Sequence, residues 1–216
     1  MGGVGGVSPL IEKIKWQGHS SFLIGGDPRI QIAPWRVVQE DSPPDIILVG
    51  HDHYDHCSPA DIEKIRGDKT IVIGNEAVGR AVAGAKVIRD WQSMSLGKAS
   101  IKAVPAYSVR DPRHPRRDKG LGFVISMEFY DIYYVGDSNI VPEMSMLRPD
   151  ILLLPIDGYG RLSVEEALRL VTMLKPRWTI PYNWGRAGEE ATSLDAQSFK
   201  VRATPHSEVL LLPISQ

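Results

Sequence analysis

Short apolar runs bounded by glycine, proline or polar clusters recur along the chain. They predict β-strands at 14–16, 21–24, 29–32, 46–49, 70–73, 87–88, 101–104, 122–126, 132–135, 151–154, 178–180 and 209–212. Helices are expected between some of them. Ser58 before Pro59 reads as an N-cap followed by proline at the first helical position. Asn75 can cap a helix running through Ala83, with Gly84 just past its end. Ser163-Val164-Glu165-Glu166 fits a capping box. Behind it Val164, Ala167, Leu168, Val171 and Leu174 recur at helical spacing until Pro176.

Two stretches share a design. Pro44-Asp45-Ile46-Ile47-Leu48-Val49 resembles Pro149-Asp150-Ile151-Leu152-Leu153-Leu154, and each is followed by a loop, a Ser-capped helix and another strand. Two such units suggest two related halves, although unrelated βαβ units also look alike. Packed sheet to sheet, the halves give an α+β fold, a four-layer αββα sandwich, with its functional site among loops leaving strand ends in both halves.

Composition narrows the classes. The chain has 216 residues, 43% of them hydrophobic and 24% charged, with Lys and Arg (25) balancing Asp and Glu (26) to a net charge of -1. A basic nucleic-acid binder is disfavoured, and a single domain over 8–216 after a flexible tail at 1–7 is expected. No apolar run reaches the roughly 20 residues of a membrane span. The start lacks the basic and apolar segments of a secretory leader, and the one cysteine, Cys57, excludes an intramolecular disulfide. The expected location is the cytoplasm, with self-association left open.

The chemistry concentrates in one hexapeptide, His51-Asp52-His53-Tyr54-Asp55-His56, directly after the 46–49 run. Three imidazoles and two carboxylates this close would each need a separate partner in a core; a divalent metal satisfies several together. His51 and His53 point the same way in an extended segment. Asp55 and His56, where the chain turns, can face a second point, as in sites with two metals about 3.5–4 Å apart.

HxHxDH after an apolar strand resembles the metallo-β-lactamase superfamily, whose fold is the αββα sandwich. The resemblance extends from about Ile14 to Leu212. Trp16-Gln17-Gly18-His19-Ser20-Ser21-Phe22, Tyr134-Val135-Gly136-Asp137-Ser138, Pro155-Ile156-Asp157-Gly158 and Ile180-Pro181-Tyr182-Asn183-Trp184-Gly185 resemble successive landmarks of one branch. That branch holds uncharacterised metal-dependent hydrolases, ascorbate-6-phosphate lactonase and the phospholipase D acting on N-acyl-phosphatidylethanolamines. The resemblance implies metal ligation by His51, His53, Asp55, His56 and Asp137, with Asp137 bridging. It implies one or two Zn2+ ions, with Mn2+ or Fe2+ as alternatives, and a metal-bound hydroxide oriented by Asp55 as the catalytic residue. The implied substrate is a small molecule carrying an ester, lactone, amide or phosphodiester.

Four positions depart from the branch's pattern. Ala33 stands in Ile-Asp-Pro, Asn139 where a second Asp is frequent, and Ser108 and Asn183 where histidine ligands are usual. Asn183 offers a carbonyl oxygen and Ser108 a hydroxyl, both poorer zinc donors than imidazole. His114, in Arg110-Asp111-Pro112-Arg113-His114-Pro115-Arg116-Arg117, is the candidate to compensate; the other reading is a surface histidine. The same basic loop favours an anionic substrate. His206 is a weaker ligand candidate. His19 is expected to make a structural hydrogen bond near the site, and Cys57 to pack as a small apolar residue. Asp157 is expected either to support a ligating histidine or to cap a loop. The rival function is a non-catalytic binding or regulatory protein of this fold whose metal site is degraded at Ser108 and Asn183.

Overall fold

The structure, a computed structural model, describes residues 9–185 and 191–215; the tail expected at 1–7 lies outside the described residues. The first half contains strands β1 (Ile14–Gly18), β2 (Ser21–Ile24), β3 (Ile30–Ile32), β4 (Ile46–Val49), β5 (Ile71–Gly74) and β6 (Lys86–Val87), with helices α1 (Pro59–Ile65) and α2 (Glu76–Ala81). The second contains β7 (Ser93–Leu96), β8 (Ala99–Pro105), β9 (Leu121–Met127), β10 (Tyr130–Tyr134), β11 (Ile151–Pro155), β12 (Trp178–Tyr182) and β13 (Glu208–Val209), with α3 (Val164–Leu174) and α4 (Ser193–Ala203).

The strands form two sheets of one plan. The first runs β1-β2-β3-β4-β5-β6 and the second β13-β12-β11-β10-β9-β8-β7. In each, an antiparallel section passes into a parallel one: β3, β4, β5 and β6 are parallel in the first, β10, β11, β12 and β13 in the second. Side chains alternate faces along a strand, so the central parallel strands β4 and β11, covered on both sides, are apolar at every position. Ile46 and Leu48 of β4 meet Ile132, Tyr134, Ile151 and Leu153 between the sheets. Ile47 and Val49 turn outward onto Ile62, Ile65 and Val78 of α1 and α2. Leu152 and Leu154 turn outward onto Ala167, Leu170, Val171 and Phe199 of α3 and α4. The result is the expected αββα order.

Local chemistry explains most helix boundaries. The Ser58 side chain accepts from the Asp61 N–H and Asn75 from the Val78 N–H; Ser163 and Glu166 form the full capping box. Three expectations change. The α2 helix stops at Ala81, with Val82 as its C-cap, short of the glycine expected to end it. The last strand covers only Glu208–Val209. Both α4, capped by Thr192 and Asp195, and the edge strand β7 come in addition to the predicted elements.

The sheets touch closely beneath the site. Gly50, just past β4, accepts a hydrogen bond from the Leu121 N–H at 3.0 Å. A Cβ on Gly50 would stand 2.1 Å from the Leu121 carbonyl oxygen, far inside van der Waals contact.

Candidate metal centre

The chemistry-bearing residues sit where strands of both sheets end. The hexapeptide follows β4, Asp137 follows β10, Asp157 follows β11, Asn183 follows β12, and the loop carrying Ser108 and His114 follows β8. His19 occupies the turn between β1 and β2, with φ 48 after Gly18 at φ 95. These residues surround a cleft of ≈ 800 Å³ whose walls include His19, His53, Asp55, His114, Asp137 and Arg161.

Within it, three overlapping triads bring side-chain donor atoms within 4.8 Å of one another: His51, His53 and His114; His19, Asp55 and His56; and His51, His56 and Asp137. Asp137 Oδ1 lies 3.3 Å from His56 Nε2, and Oδ2 lies 3.8 Å from His51 Nε2. The ring centres of His51 and His114 are 4.5 Å apart. Four buried atoms at this point have no hydrogen-bond partner: Nε2 of His51, His56 and His114, and Oδ1 of Asp137. Leaving such groups unpaired costs about 1–3 kcal/mol each. Imidazole nitrogen and carboxylate oxygen are the donor set that suits zinc and its neighbours, so the residues fit a divalent cation.

His114 reaches the cluster through its loop's construction. The Ser108 hydroxyl accepts from the Arg110 and Asp111 N–H groups, at 3.2 and 2.8 Å, and donates to Asn139 Oδ1 at 2.9 Å. The Ser108 N–H donates to the His114 carbonyl at 2.8 Å, closing the turn. Gly120 then leaves room for the ring: a Cβ there would come within 2.5 Å of His114 Cε1 and Nε2. Ser108 therefore spends its hydroxyl on folding the loop that presents His114.

Asn183 is fully buried with φ 59, a left-handed conformation that asparagine tolerates better than most residues. Its side-chain oxygen accepts from the Ser20 hydroxyl at 3.2 Å, while its nitrogen has no partner. His206 is exposed beyond α4 and belongs to none of the triads. Cys57 packs in the core beneath α1, and burial together with the charge of Asp52 pushes its thiol up to about 11.

The electrostatics divide the cluster. Burial, reinforced by His56, holds His51 well below the ordinary imidazole value, and burial also lowers His114. Both are thereby kept neutral, the form that ligates metal. Asp55 is lowered to about 2: burial opposes its charge, but a 3.1 Å hydrogen bond with His19 Nε2 and the nearby His56 outweigh it. Asp137, fully buried, is nonetheless held well below the carboxylate range by Arg161 and His56.

Arg161 escaped the sequence reading. It is 8% exposed. Its Nη1 donates to Asp137 Oδ2 at 3.0 Å, its Nε donates to Asp157 Oδ1 at 2.9 Å, and its Nη2 also bonds Asp157. Asp157 thus supports this guanidinium, where a ligating histidine or a loop cap was expected. Asp157 and Arg161 lie four apart in a loop, where that spacing predicts no contact, and nothing local points from Arg161 to Asp137. The basic loop is also more neutral than its composition suggests: Arg110 pairs with Glu166, Arg113 with Asp111, and Arg116 with Glu143. At the cleft rim Arg113 lies over the Tyr159 ring and Arg36 over Trp35.

Comparisons with known proteins agree with this fold. The profile of the beta-lactamase superfamily domain matches residues 13–183. A UPF0173 metal-dependent hydrolase of Archaeoglobus fulgidus is 28% identical over 192 residues, covering 80% of this chain and 83% of the relative. One of Thermoplasma volcanium is 30% identical over 217 residues, covering 93% and 95%. The crystal structure of a Parabacteroides distasonis protein superimposes with a TM-score of 0.82 at 25% identity, covering 94% of this chain and 93% of that one. Sandwich, cluster and relatives converge, and the chain belongs to the beta-lactamase superfamily domain family.

Proposed function

We propose that the cleft is the active centre of a metal-dependent hydrolase. His51, His53, His114, His56 and Asp137 hold the divalent cation, zinc foremost, with Mn2+ or Fe2+ as alternatives. The observation that carries this reading is the set of four partnerless buried atoms, gathered in two triads that share His51; protein groups alone leave them unsatisfied. The names of the Archaeoglobus and Thermoplasma relatives support the same class.

A bound divalent cation supplies acidity to water and polarises a carbonyl or phosphoryl oxygen. The chain's own residues supply the rest. Asp55 is ionised throughout the neutral range, and His19 fixes its orientation. It accepts a hydrogen bond from the attacking water and directs it toward the substrate. The buried His51 and Asp137 exclude bulk water from the floor of the cleft. The substrate is a small ester, lactone, amide or phosphodiester. Arg36, stacked on Trp35 at the rim, supports an anionic one.

Among the described residues no helix is long and apolar enough to cross a membrane. A buried, protonated lone thiol suits a reducing setting, which we take to be the cytoplasm. The rival reading of a non-catalytic binding protein rested on Ser108 and Asn183. The placement of His114 beside His51 and His53 supplies the third imidazole that Ser108 lacks.

Asp55→Asn tests the reading. In the metal-loaded protein it is expected to lower hydrolysis of a generic phosphodiester or lactone about 100-fold or more, with metal content retained. Full activity in this variant refutes the role given to Asp55, and protein that retains no metal when purified without chelator refutes the metal centre.

A further inference from the structure

The fold and the hexapeptide would accommodate two cations, yet the carboxylate that both would share already carries a fixed positive partner, Arg161 on Asp137 Oδ2. We propose that Arg161 is the fixed second cation of the centre: held between Asp157 and Asp137, it confines the cluster to one divalent ion. The inference rests on the reading of the cluster as a metal centre.

Two dications about 3.5–4 Å apart repel strongly and need anionic donors shared between them. The carboxylates in the three triads are Asp55 and Asp137, and each has one oxygen engaged, while Asp137 Oδ1 has no partner. Asp55 is hydrogen-bonded to His19 at 3.1 Å, and Asp137 accepts from Arg161 at 3.0 Å. The carbonyl oxygen of Asn183, the remaining candidate, accepts from Ser20 at 3.2 Å. Nε2 of His51, His56 and His114 have no partner at all. One ion therefore meets ready imidazoles, whereas a second must share the Asp137 carboxylate, whose charge is already offset by a guanidinium on Oδ2.

Arg161 is not free to yield. A guanidinium keeps its charge at any pH the protein survives. Its paired contact with Asp157 fixes the plane of the fork. Swinging it away would leave the buried carboxylates of Asp157 and Asp137 without their counter-charge, a costly state. Arg161 also lines the cleft, so a second positive charge faces the substrate without a second metal.

The test is a metal count. Chelator-stripped protein is titrated with Zn2+ and, separately, Mn2+, and the ions retained after desalting are measured by mass spectrometry beside calorimetric titration. Wild type and Arg161→Lys are expected to retain about one equivalent. Arg161→Gln and the double variant Arg161→Gln/Asp157→Asn are expected to retain about two, the second bound at least roughly tenfold tighter than any second event in wild type. The double variant removes both members of the buried pair, so no charge is stranded, and Asp157 cannot itself become the new ligand. Two tight equivalents in wild type overturn the proposal while leaving the metal centre intact. So does a single equivalent in both charge-removing variants. An absence of binding in wild type refutes the metal centre and this inference with it. The wild-type count stands whether or not any variant folds.

Discussion

The imidazole wall and the carboxylate wall of the cleft are built on opposite terms. His51 and His114 are buried with their Nε2 atoms unpartnered and their charged forms suppressed. Asp55, Asp137 and Asp157 each have a protein partner in place: His19 for the first, Arg161 for the other two. One wall is left incomplete and gains from an added cation. The other has a partner already in place on every carboxylate, with Asp137 Oδ1 still open, and acts by holding charge in position. Affinity for metal should therefore be concentrated in the first wall, and orientation of the reacting groups in the second.

The sharpest way to break this division is at His114. His114→Ala is expected to weaken zinc binding by more than about 100-fold, beyond the 10–100-fold typical of losing a group that merely supports a ligand. Competition against a chromophoric chelator measures it, and unchanged affinity would return His114 to the status of an ordinary loop residue. Gly120→Ala should act on the same wall indirectly. The added methyl group would overlap the His114 ring and the Ala106 carbonyl oxygen, at 2.5 and 2.6 Å. A stability loss of about 1–3 kcal/mol is expected, with zinc affinity reduced less than in His114→Ala. A variant that binds zinc as tightly as wild type would show that the ring's position is not set by this contact.

The smallest expected effect separates the walls by pH in chelator-stripped protein. His51 and His114 have folded-state values below the ordinary 6.5, so below that pH the unfolded chain binds more protons than the native one. Their contribution is intact above about 6.5 and is lost as the pH falls beneath it. Asp55, at about 2 against 3.8, contributes stability that is lost only as the pH drops from 3.8 toward 2. Urea midpoints should therefore decline between about pH 7 and pH 5.5, by on the order of 1 kcal/mol, and the decline should shrink in His114→Ala. A flat response over that interval would contradict the suppressed charging of the imidazole wall.

What could be read from the chain depended on how local the cause was. The α3 helix declares itself through a capping box and a stripe from Ala167 to Leu174. The α4 helix does not, because it buries only Ala196, Phe199 and Ala203 while Leu194 and Val201 stay exposed, which blurs its apolar face. The β7 strand, Ser-Met-Ser-Leu at a sheet edge, is half polar and carries little strand signal. The same rule holds at the centre. His51, His53, Asp55 and His56 announce themselves within six residues. His114 was visible only as a candidate, since its approach depends on the Ser108 turn and on space left by Gly120. Arg161 was invisible because its decisive contact, with Asp137, spans 24 positions.

The contact at Gly50 carries a consequence for how the molecule can vary. His51, His53 and His56 belong to one sheet's loops, and Asp137 and His114 to the other's. At Gly50 the main chains of the two sheets are separated by less than the width of a methyl group. Any larger side chain there would act as a wedge, prising the halves apart and pulling the two sets of donors out of common reach. Simultaneous grip by both halves thus depends on a residue with no side chain at this point of contact.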